Sequence, residues 1–133
     1  MGHVTYLDSS ALAKLILRER ETGALRRFLL QRNVLASSVV ARVEVLRAAR
    51  QHGSLAVRRA RKVLAGVKRL RTDDELIDSA SFLDPLSMRT LDAIHLAAAM
   101  AIGDDLDVVI TYDARMAAAA EGLGLPVAAP SWK

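Results

Sequence analysis

Four carboxylates stand at positions where the surrounding apolar pattern gives no structural reason for a charge. Asp8 ends the apolar run VTYL, and Asp113 follows VVITY in the same way. Glu44 lies within SSVVARVEVLRAA, and Asp92 lies within RTLDAIHLAAAMA. Carboxylates brought together raise one another's pKa unless a cation neutralises them. Oxygen ligands without cysteine or histidine suit Mg²⁺ or Mn²⁺, so the four acids predict a metal site for phosphoryl transfer or phosphodiester hydrolysis.

Each acid taken singly also has a purely structural explanation. Asp8 and Asp92 could be favourable charges near helix N-termini. Asp113 could cap the helix that follows it, and Glu44 could pair with Arg47 on the same helix face. The metal site is favoured only because all four acids are expected to converge.

Asp8 directly precedes a predicted helix, and its role as the cap of that helix can be assessed from the neighbouring residues. The stretch from Ser9 to Leu17 has helical spacing, and Ser9 or Ser10 could accept a hydrogen bond from a free backbone N–H at its start. We therefore expect the cap of this helix not to need Asp8.

Two residues flank Asp92 at helical spacing. Arg89 precedes it by one turn and is its same-face cationic partner. His95 follows it on roughly the same face. Because histidine commonly shows intermediate burial, we interpret His95 as a hydrogen-bonded packing residue rather than a metal ligand.

The elements that must position these acids alternate along the chain. Short apolar or β-branched runs predict strands at residues 4–7, 34–36, 69–72, 108–111 and 126–128. Helical spacing lies between them, around residues 12–16, 24–30, 39–50, 56–67, 76–80, 91–100 and 116–120. This alternation predicts an α/β fold with a parallel sheet covered on both faces. Such sheets bind ligands beyond the carboxyl ends of their strands, where Asp8 and Asp113 would meet if their strands are neighbours.

Bulk composition limits the class of protein. The 133 residues are 52% hydrophobic, 26% charged and only 4% aromatic, which predicts one compact domain, residues 1–133, with an aliphatic core. No cysteine is present, which excludes disulfides and thiol chemistry and fits a reducing cytoplasm. We find no long uncharged apolar stretch, so neither a membrane span nor a signal peptide is expected.

Positive charge is concentrated in one segment. The net charge is +4, and no acid falls between Glu44 and Asp73. The cations of this segment are Arg47, Arg50, Arg58, Arg59, Arg61, Lys62, Lys68, Arg69 and Arg71. They predict either a polyanion partner or a solvated helix face, and composition alone does not separate the two.

Four segments together resemble a known family. YLDSSAL, SSVVARVEVLRA, LDAIHLAAA and VVITYDARMAAAAEGLGLPV follow the order and rough spacing of the PIN domain, and specifically of VapC-type toxins from VapBC toxin–antitoxin pairs. The resemblance implies an α/β/α sandwich with a five-stranded parallel sheet of order 3-2-1-4-5. It also implies that Asp8, Glu44 and Asp92 hold Mg²⁺ or Mn²⁺, and that Asp113 is a fourth, more variable acid. Ser10 and Thr111 match polar positions that support the metal site.

The same resemblance implies a function. The protein would be a metal-dependent endoribonuclease toxin that cuts an RNA such as tRNA or rRNA, leaves a 5′-phosphate and a 3′-hydroxyl, and thereby inhibits translation and growth. A cognate VapB-type antitoxin would silence it, and a homodimer is expected. The residues expected to hold RNA by its phosphates are Arg47, Arg50, Arg58, Arg59, Arg61 and Lys62.

Three alternatives remain beside this interpretation. A phospho-acceptor receiver domain has a similar length and sheet, but it needs an acidic pair after the first strand, where Asp8 stands alone. A non-catalytic RNA-binding PIN module would be expected to lack one of the four acids. A housekeeping PIN nuclease for RNA processing would share the chemistry, and the short chain without appended modules favours the toxin.

Overall fold

Strands and helices alternate along almost the whole chain. The computed structural model describes residues 2–32 and 34–131. Its strands are β1 (Val4–Leu7), β2 (Val34–Ser38), β3 (Lys68–Leu70), β4 (Leu106–Ile110) and β5 (Val127–Ala128). Its helices are α1 (Ser9–Ile16), α2 (Thr22–Leu29), α3 (Val39–Arg50), α4 (Ser54–Ala65), α5 (Asp74–Ser81), α6 (Thr90–Ile102) and α7 (Ala114–Gly122), with a 3-10 turn at Gly103–Asp105.

The five strands form one parallel sheet in the order β3-β2-β1-β4-β5. This confirms both the α/β class and the strand order implied by the resemblance. Leu7 at the end of β1 pairs with Ile110 at the end of β4. The residues that follow these two strands, Asp8 and Thr111, therefore emerge side by side at the carboxyl edge of the sheet.

Helices cover both faces of the sheet. On one face, Leu7, Val108 and Ile110 pack against buried residues of α1 to α4, such as Leu12 and Val45. On the other face, Tyr6 and Val109 pack against α5 and the alanine-rich α6. A smaller cluster joins α6 to α7 through Leu96, Met116 and Ala120. The alternation of Tyr6 and Leu7 between faces follows from the two-residue period of a strand.

Strand boundaries differ from the predicted ones in four of the five strands, and β2 extends to Ser38 while β4 begins at Leu106. β3 spans Lys68–Leu70 rather than 69–72, because its length is set by pairing with β2 from Ala36 to Ser38. β5 has only two residues because only two pairs form with β4. Pairing with a neighbour, which no local pattern encodes, decides both edges.

The buried face of α3 does not include all of its valines. Ala41, Val45 and Ala49 are buried, whereas Val39 and Val43 are 40% and 60% exposed. Small residues on the inner face allow close packing with α4, whose Ala56 and Ala60 belong to the same core cluster. In the described ranges no helix combines the length and apolar character that crossing a bilayer requires.

Candidate active site

All four predicted acids line one pocket at the carboxyl edge of the sheet. Its volume is about 340 Å³, and its walls are Asp8, Ser9, Ser10, Glu44, Arg89, Thr90, Leu91, Asp92 and Asp113. Asp8 and Asp113 follow β1 and β4, while Glu44 comes from the middle of α3 and Asp92 from the first turn of α6. The fold thus brings together residues that are far apart in sequence.

Asp8 is nearly buried, with 3% of its surface exposed. Its Oδ1 accepts hydrogen bonds from the Ser10 hydroxyl at 2.6 Å and from the backbone N–H of Ala11 at 2.9 Å, and its Oδ2 accepts one from the Thr111 hydroxyl. Asp8 itself therefore caps α1, and the prediction that a serine makes this cap unnecessary is wrong. Burial raises the pKa of Asp8, although the three hydrogen bonds oppose this rise.

Ser10 and Thr111 connect Asp8 to the chain after β4. The Ser10 hydroxyl accepts a hydrogen bond from the backbone N–H of Tyr112 at 2.9 Å while donating to Asp8. The Thr111 hydroxyl accepts one from the backbone N–H of Asp113 at 3.1 Å. These two hydroxyls fix the Asp8 carboxylate relative to both neighbouring strands.

Glu44 is held through one of its two oxygens. Its Oε1 accepts hydrogen bonds from the Ser9 hydroxyl and from Nε2 of His95, each at 2.9 Å. Burial opposes the charge of Glu44, but the bonds from His95 and Ser9 outweigh it, so the pKa of Glu44 lies below its usual value. Arg47 is exposed and makes no ion pair with Glu44 in the described part of the chain, which removes the simplest structural explanation for this acid.

His95 is buried behind Glu44, with 1% of its surface exposed. Its Nδ1 lies 2.7 Å from the hydroxyl oxygen of Tyr6, which in turn accepts a hydrogen bond from the backbone N–H of Ser38 at 3.1 Å. Burial raises the pKa of Tyr6 strongly, so its hydroxyl keeps its proton. Because both ring nitrogens of His95 are engaged, neither is free to bind a metal.

Arg89 bridges the other two acids at the mouth of the pocket. Its Nε donates to Oδ2 of Asp92 at 3.0 Å, as the helical spacing predicts, and its terminal nitrogen donates to Oδ2 of Asp113 at 2.7 Å. Oδ1 of Asp113 caps α7 by accepting from the backbone N–H groups of Arg115 and Met116. Burial opposes the charge of Asp113, but these backbone bonds and Arg89 prevail and lower its pKa.

Two of the four carboxylates share one guanidinium in this conformation. Among residues 2–32 and 34–131, no three acidic, histidine or cysteine side chains are gathered closely enough to enclose a metal ion as they stand. Arg89 occupies one oxygen each of Asp92 and Asp113. Arg89 is 58% exposed, so solvent gives it room to move away. Four carboxylates with no free imidazole or thiolate are a donor set that fits Mg²⁺ or Mn²⁺.

The basic residues predicted to bind RNA lie outside the pocket. Arg47 and Arg50 are on α3, and the other four are on α4. All six are exposed, and none lines the acidic pocket. Their role in binding RNA stays a prediction.

Comparison with known proteins identifies the family. A model of the PIN domain matches residues 5–122. Ribonuclease VapC46 of Mycobacterium tuberculosis (strain ATCC 25618 / H37Rv) is 50% identical over 126 residues, which cover 95% of this chain and 97% of the relative. The chain is a VapC-type member of the PIN domain family.

Solved structures share the architecture of this PIN domain. A toxin–antitoxin complex from Klebsiella pneumoniae contains a chain that superposes with a TM-score of 0.74 and 20% identity, covering 97% of this chain and 99% of the other. VapC20 of Mycobacterium tuberculosis, described as a sarcin-ricin loop cleaving toxin, gives a TM-score of 0.69 and 18% identity over 86% of this chain and 94% of its own. At these identities the likeness shows the fold.

Three contacts in and behind the pocket of this PIN domain were not predicted from the sequence. Ser9 was considered only as a helix cap, yet its hydroxyl donates to Glu44. Tyr6 was read only as a buried strand residue, although its hydroxyl contacts His95. The spacing of Arg89 revealed its contact with Asp92, but no local signal reveals its second contact with Asp113.

Proposed function

We propose that residues 1–133 act as a single PIN domain and form a metal-dependent endoribonuclease toxin of the cytoplasm. The observation that carries the proposal is the convergence of Asp8, Glu44, Asp92 and Asp113 on one pocket of a PIN domain. The relative named Ribonuclease VapC46, 50% identical over almost the whole chain, supports RNA as the substrate.

The metal site would be built by Asp8, Glu44 and Asp92, with Asp113 holding a second ion or orienting the attacking water. A bound Mg²⁺ or Mn²⁺ would polarise the scissile phosphate and lower the pKa of that water. Ser10 and Thr111 would keep the carboxylate of Asp8 oriented, because each donates to one of its oxygens. Attack in line with the leaving oxygen would give a 5′-phosphate and a 3′-hydroxyl.

Arg89 would have a role in this scheme both before and after a metal ion binds. Without metal it pairs with both Asp92 and Asp113. When these carboxylates turn to a divalent ion, its guanidinium is released at the mouth of the pocket, where it could donate to a phosphate oxygen of the RNA. Arg89 would thus pair with an anionic group both before and after a metal ion binds.

RNA binding is proposed for the exposed cations of α3 and α4. Arg47 lies one turn after Glu44 on α3, so the basic surface begins beside the acidic pocket. Arg50 continues this surface along α3, and Arg58, Arg59, Arg61 and Lys62 extend it over α4. Contacts from such residues to phosphates position the RNA without reading its sequence.

A VapB-type antitoxin is proposed as the partner that silences the nuclease, and a homodimer as the state of the toxin. The likeness to a chain from a toxin–antitoxin complex supports this kind of partner. The antitoxin would cover apolar surface near α1 and α2, where Leu30 is 81% exposed, and would reach the acidic pocket.

The test is to induce the wild-type protein, Asp8→Asn and Asp78→Asn separately and to assay each purified protein on RNA. Asp78→Asn makes the same chemical change at an exposed position of α5 outside the pocket. We expect the wild type and Asp78→Asn to arrest growth and to cut RNA with Mg²⁺ or Mn²⁺ but not with EDTA, and Asp8→Asn to do neither. The proposal fails if the wild type cuts no RNA under any of these conditions, or if Asp8→Asn is as active as the wild type.

A further inference from the structure

A chain of buried hydrogen bonds runs from the sheet to Glu44. The backbone N–H of Ser38 donates to the Tyr6 hydroxyl oxygen, which lies 2.7 Å from Nδ1 of His95. Nε2 of His95 lies 2.9 Å from Oε1 of Glu44. The chain joins β2, β1, α6 and α3, and it connects the core of the sheet to the wall of the acidic pocket.

The direction of these bonds follows from what each group can donate. A carboxylate only accepts, so the proton between His95 and Glu44 is on Nε2. In a neutral imidazole with its proton on Nε2, Nδ1 is an acceptor, so the Tyr6 hydroxyl donates to Nδ1 while its oxygen accepts from Ser38. Every member of the chain is then satisfied with a single ring proton on His95.

The hydrogen-bonded pair of Tyr6 and His95 lies in an apolar core. Tyr6 is fully buried and His95 is 1% exposed, and the surrounding cluster consists of apolar residues such as Ala98 and Val109. Phenylalanine and leucine would fill similar space without burying polar atoms, which cost free energy to bury even when they are hydrogen-bonded. What the polar pair adds is a fixed donor aimed at Glu44.

The fixed donor leaves one oxygen of Glu44 available. Ser9 and His95 both donate to Oε1, and Oε2 accepts no hydrogen bond from any residue that the structure describes. The Glu44 side chain is 25% exposed, where it lines the pocket. Holding Oε1 from behind therefore fixes the rotamer that presents Oε2 to the pocket.

We propose that Tyr6 and His95 are positioning residues that orient Glu44 for a divalent metal ion. This inference rests on the proposed function, because it assigns Glu44 to the metal site. Groups that hydrogen-bond to metal ligands typically change metal affinity by about tenfold or more when they are removed. The role of the pair would thus be measurable without any RNA.

The first test compares two tyrosine-to-phenylalanine variants by calorimetric titration with Mn²⁺. Tyr6→Phe deletes the hydroxyl of the chain, and Tyr112→Phe deletes a hydroxyl that donates to the carbonyl of Pro130 instead. We expect Tyr6→Phe to weaken Mn²⁺ binding about tenfold and Tyr112→Phe to leave it unchanged, with both proteins folded by circular dichroism. Equal Mn²⁺ affinity in the wild type and Tyr6→Phe overturns the inference.

The second test varies His95, because Tyr6→Phe also leaves the N–H of Ser38 without its partner. His95→Leu introduces an apolar side chain of similar size that cannot donate to Glu44. His95→Gln introduces an amide that can donate to Glu44. We expect His95→Leu to lose Mn²⁺ affinity and His95→Gln to recover much of it, a rescue that a packing role would not produce. If His95→Gln and His95→Leu bind Mn²⁺ equally, the inference is wrong. If His95→Leu does not fold, the comparison of Tyr6→Phe with Tyr112→Phe decides.

A spectroscopic measurement examines the same chain directly. Nitrogen-15 NMR of the imidazole should show His95 in one tautomer, with its proton on Nε2, and the Nδ1 resonance should shift in the Tyr6→Phe variant, which has no hydroxyl to donate to Nδ1. A proton on Nδ1 in the wild type contradicts the assigned chain. Failure of the proposed function gives a different result, because the wild type itself would then bind no Mn²⁺.

Discussion

Hydrogen bonding and burial have opposite effects on the pKa of Asp8. It caps α1 and accepts three hydrogen bonds, which favour its ionised form. It is also nearly buried, and burial raises its pKa because the charged form loses its hydration. Since its folded pKa lies above the unfolded value, ionising Asp8 costs folding free energy, and stability falls as the pH rises through the folded pKa.

This conflict predicts that Asp8→Asn stabilises the protein while abolishing cleavage. Asparagine can cap α1 as well as aspartate can, and it carries no charge. We expect its Tm to exceed that of the wild type by a few degrees at pH 7.5, and the difference to shrink towards pH 4 as Asp8 becomes protonated. Thermal unfolding at both pH values checks this without added metal. A Tm below that of the wild type at pH 7.5 would show that the cap and its bonds outweigh the buried charge.

At the scale of elements, three helices begin at the pocket. Asp8 caps α1, Asp113 caps α7, and Asp92 lies in the first turn of α6, which starts after Arg89. The N-terminus of a helix carries partial positive charge, which stabilises nearby carboxylates. The positions of these three acids therefore follow from where strands end and helices start, while Glu44 reaches the pocket from inside α3.

The helix starts lead to a prediction for Arg89→Gln. The variant loses the guanidinium that bridges Asp92 and Asp113 but keeps the three helix N-termini, so the protein should fold. Because Arg89 and a divalent ion compete for the same two oxygens, Mn²⁺ should bind several-fold more tightly, as calorimetric titration would show. Arg89→Lys keeps the charge but cannot donate as a planar fork. Its Mn²⁺ affinity should lie between those of the wild type and Arg89→Gln. Weaker Mn²⁺ binding in Arg89→Gln would mean that Arg89 supports the metal site instead of competing for it.

At the scale of the whole molecule, opposite charges are separated. Acids gather in the pocket, while exposed cations cover α3 and α4 and bring the net charge to +4. A polyanion would be drawn to the basic surface and its scissile phosphate brought to the pocket, where a divalent ion offsets the carboxylates. Neither surface would suffice by itself for cleavage of RNA.

The separation of charge predicts that substrate binding and metal binding can be changed independently. Replacing Arg58, Arg59, Arg61 and Lys62 with glutamine should weaken binding to single-stranded RNA. The slope of the logarithm of the binding constant against the logarithm of the salt concentration should become shallower by about 0.7 for each lost phosphate contact. Mn²⁺ affinity should not change, because none of the four lines the pocket. Fluorescence titrations of Asp8→Asn with and without the four replacements, at several salt concentrations, measure this without cleavage. An unchanged salt slope would place the RNA on another surface.

Local pattern in the sequence determined the class of fold and the four acids of the pocket. Runs of apolar residues and helical spacing report whether a segment faces a core, so an acid at the end of such a run, as Asp8 and Asp113 are, stands out. Neighbouring β1 and β4 then bring these two acids to one edge. Pattern was weaker for strand ends, such as those of β3 and β4, because a strand is bounded by its pairing with neighbours as well as by its own composition.

Only the tertiary structure decided which side chains touch one another in the pocket. Tyr6 and His95 are 89 positions apart, Ser9 and Glu44 are 35 apart, and Arg89 and Asp113 are 24 apart. Periodicity shows that a residue is buried, but not which distant residue it meets, since that depends on strand order, register and helix packing together. The acids and the Arg89–Asp92 pair could therefore be read from the sequence, whereas the hydrogen bonds between distant residues that orient the acids could not.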